Sequence, residues 1–426
     1  MAEIELSEDW QPPEPNADGA LWLLLRLHSR PMGAVLFQGL DASSSGGKLQ
    51  NAITDAITAS IADNLRNHLD ADGVHAKDLL SAARSLPAAN CPTRQLPPDE
   101  LMTVVICTLG REPRLADAVS SVLAQDHPRL ELVVVDNAPD EGGVREALNA
   151  FDDERLRIVE EPRPGLSFAR NTGLSAARGS VVAFTDDDAV ADPAWARTVA
   201  ATFAEHPDIA CVTGLVLPAE LCSPEQLWFE EFGAFDKGYQ RVVWNIGPLT
   251  PALAAVGRPG VAGPVFPYTA GEFGSGNNMA FRATVLRDAG GFDVALGAGS
   301  LARGGEDLDA FVQLLLRRQT IVYEPAAMVR HHARADFTSL RTQMYGYGVG
   351  MSAVIAKHLL ASPRSAYQVI RKLPAGLRRL LDPGSEKNAG KSQQFPRELT
   401  RIELKGYAMG PLLFVRSRRA ARRVRG

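Results

Sequence analysis

The chain has 426 residues, 45% of them hydrophobic and 22% charged, with a formal net charge of -5. That length allows two or three domains, or one large domain with appendages, and the charge gives no reason to expect nucleic acid as the main partner. The four cysteines (Cys91, Cys107, Cys211, Cys222) show neither a C-x-x-C pair nor zinc-ligand spacing, so the expectation is a reducing compartment, with Cys107 a buried thiol inside its apolar run.

The acidic opening MAEIELSEDW lacks the basic and apolar regions of a secretory signal, and ALWLLLRL stops short of the roughly 18 apolar residues of a membrane span. A cytoplasmic protein is expected, or one peripheral to the inner face of the membrane. Residues 1–95 read as a small α+β accessory domain. In it, ALWLLLRLHSRPMGAVLFQGL holds two apolar runs around a turn signal at Ser29, Arg30, Pro31 and Gly33. Leu49, Ile53, Ile57, Ile61 and Leu65 then recur every four residues, as in an amphipathic helix packed on a hairpin. SSSGGKL is not a phosphate loop, because Ala42 replaces the first glycine and Leu49 follows the lysine.

The proline-rich LPAANCPTRQLPPDE is a linker, and residues 96–360 follow with a different rhythm. Strands are predicted at 102–107, 130–136, 156–160 and 181–186, with helices near 114–125, 143–150 and 166–177 between them. Near-continuous Val/Ile strands alternating with helices indicate a doubly wound, mostly parallel α/β sheet, whose ligands bind beyond the carboxyl ends of the strands. A helix after Pro193 and a strand at 209–217 continue the sheet; residues 233–275 read as a long covering loop. A helix at EDLDAFVQLLLRR, a strand at IVYEP and a long helix at 336–358 come next. The 361–426 extension contains PGSEKNAGKSQQFP (383–396), expected to be disordered, and a basic tail from Arg416 to Arg425. That tail is either solvated or drawn to anionic lipid headgroups.

Thr108, Asp136 and the run Asp186, Asp187, Asp188 all fall at predicted strand ends. Three adjacent carboxylates exceed what a helix cap needs, and Asp192 before Pro193 is the better cap. Hard oxygen ligands select Mg²⁺ or Mn²⁺, and a Mg²⁺ held by one or two carboxylates leaves positions for substrate phosphates. Asp136 reads as a base or ribose contact, or as half of a turn-forming Asp-Asn pair. Arg170 reads as a phosphate contact or a solvated helix arginine. Glu306 and Asp307, after two glycines, open a helix as caps or carry a base for an incoming hydroxyl. VRHHARADF supplies His331, His332 and Arg334, with imidazole suited to Mn²⁺ and guanidinium to diphosphate.

In this order, VVICTLGREPRLADAVSSVLAQ, LELVVVDNAP, GLSFARNTGLSAARGSVVAFTDDDAVADPAW, GSGNNMAFRATVLRDAGGFD, GGEDLDAFVQLLLRR and VRHHARADF resemble the family 2 glycosyltransferases over about residues 102–350. The resemblance implies the GT-A fold and transfer of a sugar from a nucleotide-diphosphate sugar to a hydroxyl-bearing acceptor, with inversion and with a divalent metal. It places Thr108 and Arg111 beside the donor nucleotide, Asp136 on the nucleoside and Arg170 near the phosphates or ribose. Asp186 and Asp188 match the outer positions of the Asp-x-Asp metal motif, with Asp187 on the donor side between them. Asp307 matches the general base, with Glu306 paired to it, and His331 a metal or diphosphate contact, unless His332 takes that place. The rival readings are a sugar-phosphate nucleotidyltransferase, for which CTLGREPRLADA lacks the Gly-rich basic loop, and a non-catalytic nucleotide-sugar-binding scaffold.

Overall fold

The computed structural model describes residues 1–10, 13, 21–37, 47–71, 73–85 and 100–424, apart from 234, 236, 269 and 383. All but the last residue of the linker, and the Ser/Gly string at 41–46, lie outside the described residues. Two compact units are present: residues 1–96 with 238–240, and residues 97–237 with 241–426.

The first unit contains β1 (Ala2–Glu5), β2 (Leu21–Leu27), β3 (Arg30–Phe37), α1 (Gly47–Ala71) and α2 (Leu79–Ser85). β2 and β3 form the expected antiparallel hairpin, and β1 adds a parallel strand that four residues of AEIE were too short to announce. The turn sits earlier than predicted, at His28 and Ser29, whose φ angles are 52° and 68°. Non-glycine residues hold this left-handed turn because the Glu5 carboxylate accepts hydrogen bonds from both backbone N–H groups, at 2.8 and 2.9 Å. Ile61, Leu65 and Leu69 of α1 pack with Ile4, Leu23 and Leu25 of the sheet. The side chains of Leu49, Ile53 and Ile57 lie outside the described residues.

The second unit begins with β4 (Met102–Thr108), α3 (Leu115–Leu123), β5 (Leu130–Asp136), α4 (Gly143–Ala147), β6 (Leu156–Glu160), α5 (Leu166–Ala176) and β7 (Val181–Asp186), close to the predicted spans. These strands are parallel in the order β6-β5-β4-β7. Alternate residues feed opposite faces: Val104 and Ile106 pack with Leu115 and Val119 of α3. On the other face, Gly173 of α5 comes so near the strands that an added Cβ would lie 2.4 Å from Val105 and 3.3 Å from Val135. The chain runs outward from β4 through β5 to β6, then crosses back to β7 on the other side of β4. That reversal makes the β4/β7 boundary a switch point, where ligands bind in sheets of this type.

The remaining elements are β8 (Ala189–Ala191), α6 (Trp195–Glu205), β9 (Ile209–Pro218), α7 (Pro224–Phe232), β10 (Val242–Trp244), α8 (Pro251–Val256), β11 (Arg258–Pro259), β12 (Asn278–Arg282), α9 (Ala283–Asp288), α10 (Glu306–Leu316), β13 (Thr320–His331), α11 (Phe337–Ala361), α12 (Pro363–Leu381), α13 (Glu386–Ala389) and α14 (Arg397–Val424). The sheet continues from β7 as β12-β9-β13-β10-β11, with β12 antiparallel to both neighbours and β8 paired to β13.

Two expectations need correction. The 233–275 stretch is not a plain loop: it holds β10, α8 and β11, and Trp244, Phe266 and Phe273 cluster there with centroids 4.8–6.2 Å apart. Residues 384–396 are ordered on the second unit, because Phe395 is buried with Phe229, Leu340 and Met344, an anchor hidden by the polar composition around it. Among the described residues, no helix is long and apolar enough to cross a membrane.

Candidate active site

The strand register gathers the predicted residues. Thr108 pairs with Asp136, and Cys107 beside it with Asp186, so the ends of β5, β4 and β7 form one rim. Since β12 runs the other way, with Asn278 opposite Thr185, its approach through Gly276 and Asn277 reaches the same rim. His331 closes β13 opposite Ala189, just past the aspartates. Gly305, at φ 86°, supplies the left-handed residue before α10, which opens with Glu306 and Asp307. Cys107 is only half-buried, contrary to expectation, and desolvation still pushes its thiol up to about 12.

Each aspartate of the run has a different environment. Asp188 is 7% exposed, with His331 Nε2 at 3.4 Å and Arg334 at 3.8 Å. Burial acts to raise its carboxyl pKa, but the two cations outweigh it and the net shift is downward. His331 mirrors this: burial acts to lower it, and Asp188 draws it up. Asp187 accepts a hydrogen bond from Thr108 Oγ1, yet desolvation pushes it up to about 7. Asp186 is also raised, by desolvation against the pull of Arg170 and with a push from Asp188. His332 turns to Glu220, with Nδ1 at 3.6 Å, so of the two histidines it is His331 that faces the cluster.

Arg170 is not the solvated helix arginine of its second reading. It is 3% exposed, its Nη1 donating to Glu306 Oε1 at 2.6 Å and its Nη2 to the Gly276 carbonyl at 2.9 Å, with Asp186 at 3.4 Å. A buried arginine engaged on three partners is a clamp between α5, α10 and the approach to β12. Its partner Glu306 is likewise buried, and desolvation raises it to about 7 against the pull of Arg170. Asp307 differs: it is half-buried, and its Oδ1 accepts from the Leu308 N–H at 2.8 Å.

The β4/β5 side of the rim is less crowded. Asp136 is 1% exposed; its Oδ1 accepts from the Ala138 N–H at 3.0 Å, while its buried Oδ2 has no partner among the described residues. A buried carboxylate oxygen without a donor is costly and suits a ligand hydroxyl or base N–H. Arg111 is exposed and paired with Glu141, so its charge is already met by the loop after β5.

Sequence reasoning missed two residues. Gly276 lies where an added Cβ would be 3.0 Å from both Arg170 Nη2 and Asp307 Oδ2. Asn277 is 2% exposed, and neither Nδ2 nor Oδ1 has a partner among the described residues. Its neighbour Asn278 is the opposite case. Nδ2 donates to the carbonyls of Leu215 and Ala327 at 2.9 and 2.8 Å, and Oδ1 accepts from Trp195 Nε1 at 2.8 Å, riveting β12 to β9, β13 and α6. The available signal was the triplet GNN at the start of a strand.

Among the described residues, no group of three or more His, Cys, Asp or Glu side chains is gathered into a metal cage. The donor set nevertheless suits a hard divalent cation that takes its other ligands from substrate phosphates. Asp186 and Asp188 offer carboxylate oxygens, and the burial that raises Asp186 and Asp187 is a penalty on their charge that a bound cation would offset.

Residues 103–257, which include the rim from Thr108 to the aspartates, match the family model described as Glycosyl transferase family 2. The chain is 29% identical over 265 residues to the glucosyl-dolichyl phosphate glucuronosyltransferase of Haloferax volcanii, covering 58% of this chain and 75% of that one. It is 36% identical over 91 residues to the putative teichuronic acid biosynthesis glycosyltransferase TuaG of Bacillus subtilis, covering 21% of this chain and 36% of that one. Similarity to the pre-mycofactocin glycosyltransferase of Mycobacterium tuberculosis is 24% identity over 205 residues, 48% of this chain and 38% of that one. The chain thus spans three quarters of the first relative and little more than a third of the other two. A solved structure, the mannosyltransferase PcManGT from Pyrobaculum calidifontis in complex with GDP-Man and Mn2+, is similar at a TM-score of 0.47 and 20% identity, over 85% of this chain and 98% of that one, too distant to add to the assignment. Residues 103–257 belong to glycosyl transferase family 2, and the chain that carries them is a glycosyltransferase.

Proposed function

We propose that this glycosyltransferase moves a sugar from a nucleotide-diphosphate sugar to an acceptor hydroxyl by a single in-line displacement with inversion. The observation that carries the proposal is the charge arrangement at the rim. Three carboxylates (Asp186, Glu306 and Asp307) lie about one buried arginine, and Asp187 and Asp188 follow Asp186 directly, with His331 and Arg334 beside Asp188. Such a site repels a bare diphosphate and suits one that arrives with a divalent cation.

Asp136 Oδ2 receives a donor group of the nucleoside, and Thr108 fixes Asp187 so that the aspartate turn keeps its shape. Asp186 and Asp188 would hold Mg²⁺ or Mn²⁺, with His331 orienting Asp188. When bound, the metal neutralises the diphosphate charge. Arg170 holds Glu306, Gly276 and Asp186 in register, and Asp307 acts as the base. The acceptor oxygen forms its bond to the anomeric carbon as the bond from that carbon to the diphosphate oxygen breaks. The electron pair leaves on the diphosphate, and the hydroxyl proton passes to the Asp307 carboxylate.

For the acceptor we propose a glycan or a lipid-linked glycan. The proposal draws on relatives named for a glucosyl-dolichyl phosphate and for teichuronic acid biosynthesis. The test is calorimetric titration with UDP, GDP, dTDP and CDP, each with Mn²⁺ and with EDTA, for the parent and for Asp188→Ala. Metal-dependent binding of one nucleotide, lost in the variant, is expected. Binding of none, or equal binding in EDTA, would overturn the metal-diphosphate reading.

A further inference from the structure

The strongest surface feature lies away from the rim, on α12. Its residues Tyr367, Ile370, Pro374, Leu377 and Leu381 recur at steps of three and four, which places them on one side of the helix. That side faces solvent: Tyr367 is 66%, Ile370 58%, Leu377 53% and Leu381 61% exposed. Arg364, Arg371 and Arg378, spaced by seven residues and all exposed, form a line along one edge of the apolar stripe. No Asp or Glu occurs between Pro363 and Leu381.

The helix does not need this outer face to stay in place. Its inner face buries Val369, accepts a hydrogen bond from Tyr268 Oη on Gln368 Oε1 at 2.7 Å, donates from Lys372 Nζ to the Phe266 carbonyl and pairs Arg379 with Glu272. Leu360, at the end of α11 and 58% exposed, stands just before α12 and lines a cleft with Val415, Arg418, Arg419 and Arg422 of α14. The basic end of α14 therefore adjoins the start of the stripe.

We infer that the outer face of α12 lies on the surface of an anionic phospholipid bilayer, with Tyr367, Ile370, Leu377 and Leu381 at the headgroup boundary and the arginine line on lipid phosphates. An apolar stripe flanked by charge of one sign is the pattern of an in-plane interfacial helix. Charge complementarity decides against a second copy of the chain as occupant, because this helix carries no carboxylate to meet the other copy's arginines. The inference relocates the membrane contact expected of the tail to a helix whose apolar side chains can anchor it, and it does not depend on the transfer reaction.

The test is co-sedimentation of the full chain with vesicles of phosphatidylcholine alone and with equimolar phosphatidylglycerol, at low and high salt. Binding to the mixed vesicles only, weakened by salt, is expected. Arg364→Gln/Arg371→Gln/Arg378→Gln should weaken it by roughly 100-fold, at about a tenfold loss for every 1.4 kcal/mol and about 1 kcal/mol per arginine. Ile370→Gln/Leu377→Gln should abolish it without moving the thermal midpoint. Equal sedimentation with both vesicle types, or no binding by the parent, would overturn the inference. So would α12 variants that bind like the parent, or a concentration-dependent dimer lost in those variants. Because the parent's lipid and salt dependence stands alone, a variant that misfolds leaves the test decisive.

Discussion

Replacing Gly276 with alanine separates the chemistry of the rim from its stability. An added Cβ would sit 3.0 Å from Arg170 Nη2 and from Asp307 Oδ2, and 3.1 Å from Nη1, against the 3.4 Å at which ordinary contact begins. The neighbours must therefore give by 3.4 - 3.0 = 0.4 Å. Arg170 cannot retreat without loosening its bond to Glu306, so the displacement falls mainly on Asp307, the proposed base. If a misplacement of about 1 Å costs about 100-fold, 0.4 Å costs roughly sixfold in kcat, near 1 kcal/mol of transition-state stabilisation. The folded state should change little, because alanine narrows the unfolded ensemble by about 0.4–1 kcal/mol, which offsets a similar steric cost. Steady-state kinetics of nucleotide release, with thermal unfolding of the same samples, checks both parts. An unchanged kcat at an unchanged midpoint would refute the reasoning, because it would mean that Gly276 does not set the spacing between Arg170 and Asp307.

Asp307→Asn should lower kcat by about 10²- to 10⁴-fold with nucleoside diphosphate binding intact and stability within about 1 kcal/mol of the parent; full activity would leave Asp307 as a helix cap only. The asparagine pair should divide. Asn278→Ala strands two carbonyls and an indole N–H and should cost about 3 kcal/mol or more in urea unfolding, whereas Asn277→Ala should leave stability intact and raise KM for donor or acceptor. Glu161 is held at about 2 by Arg163, against burial and with help from Thr172, below its ordinary 4.5. A depressed carboxyl contributes stability above pH 4.5 and loses it as pH falls toward 2, worth at most about 3 kcal/mol, and Glu161→Gln should flatten the acid limb of a stability-pH curve by that amount.

The parallel half of the sheet was legible because fully buried strands read as unbroken Val/Ile runs, and because each run ends in a polar residue that marks the rim: Thr108, Asp136, Asp186. Side-chain partners were not legible. Arg170 and Glu306 are 136 residues apart, and no local pattern tells a buried clamp from a solvated helix arginine. Within RHHAR, neither histidine is favoured by spacing; only the end of β13, which sends His331 to Asp188 and His332 to Glu220, separates them. The ordered 384–396 stretch was masked for a related reason, since one buried Phe395 outweighs eight polar neighbours. Gly276 and Asn277 went unnoticed because their roles depend on what a reversed strand brings beside β7.

The reversed strand also imposes an order on how the rim is completed. During synthesis β4 to β7 emerge as one contiguous block, so that side of the rim can fold with Thr108, Asp136 and the aspartates in place. Gly276 arrives about ninety residues later, Glu306 later still, and His331 last. Until then Arg170 has Asp186 but lacks Glu306 and the Gly276 carbonyl, and the aspartate run lacks its imidazole. A nascent chain can therefore shape the β4 to β7 side of the rim well before it carries Glu306 and Asp307, and the rim is completed only when β13 has been made.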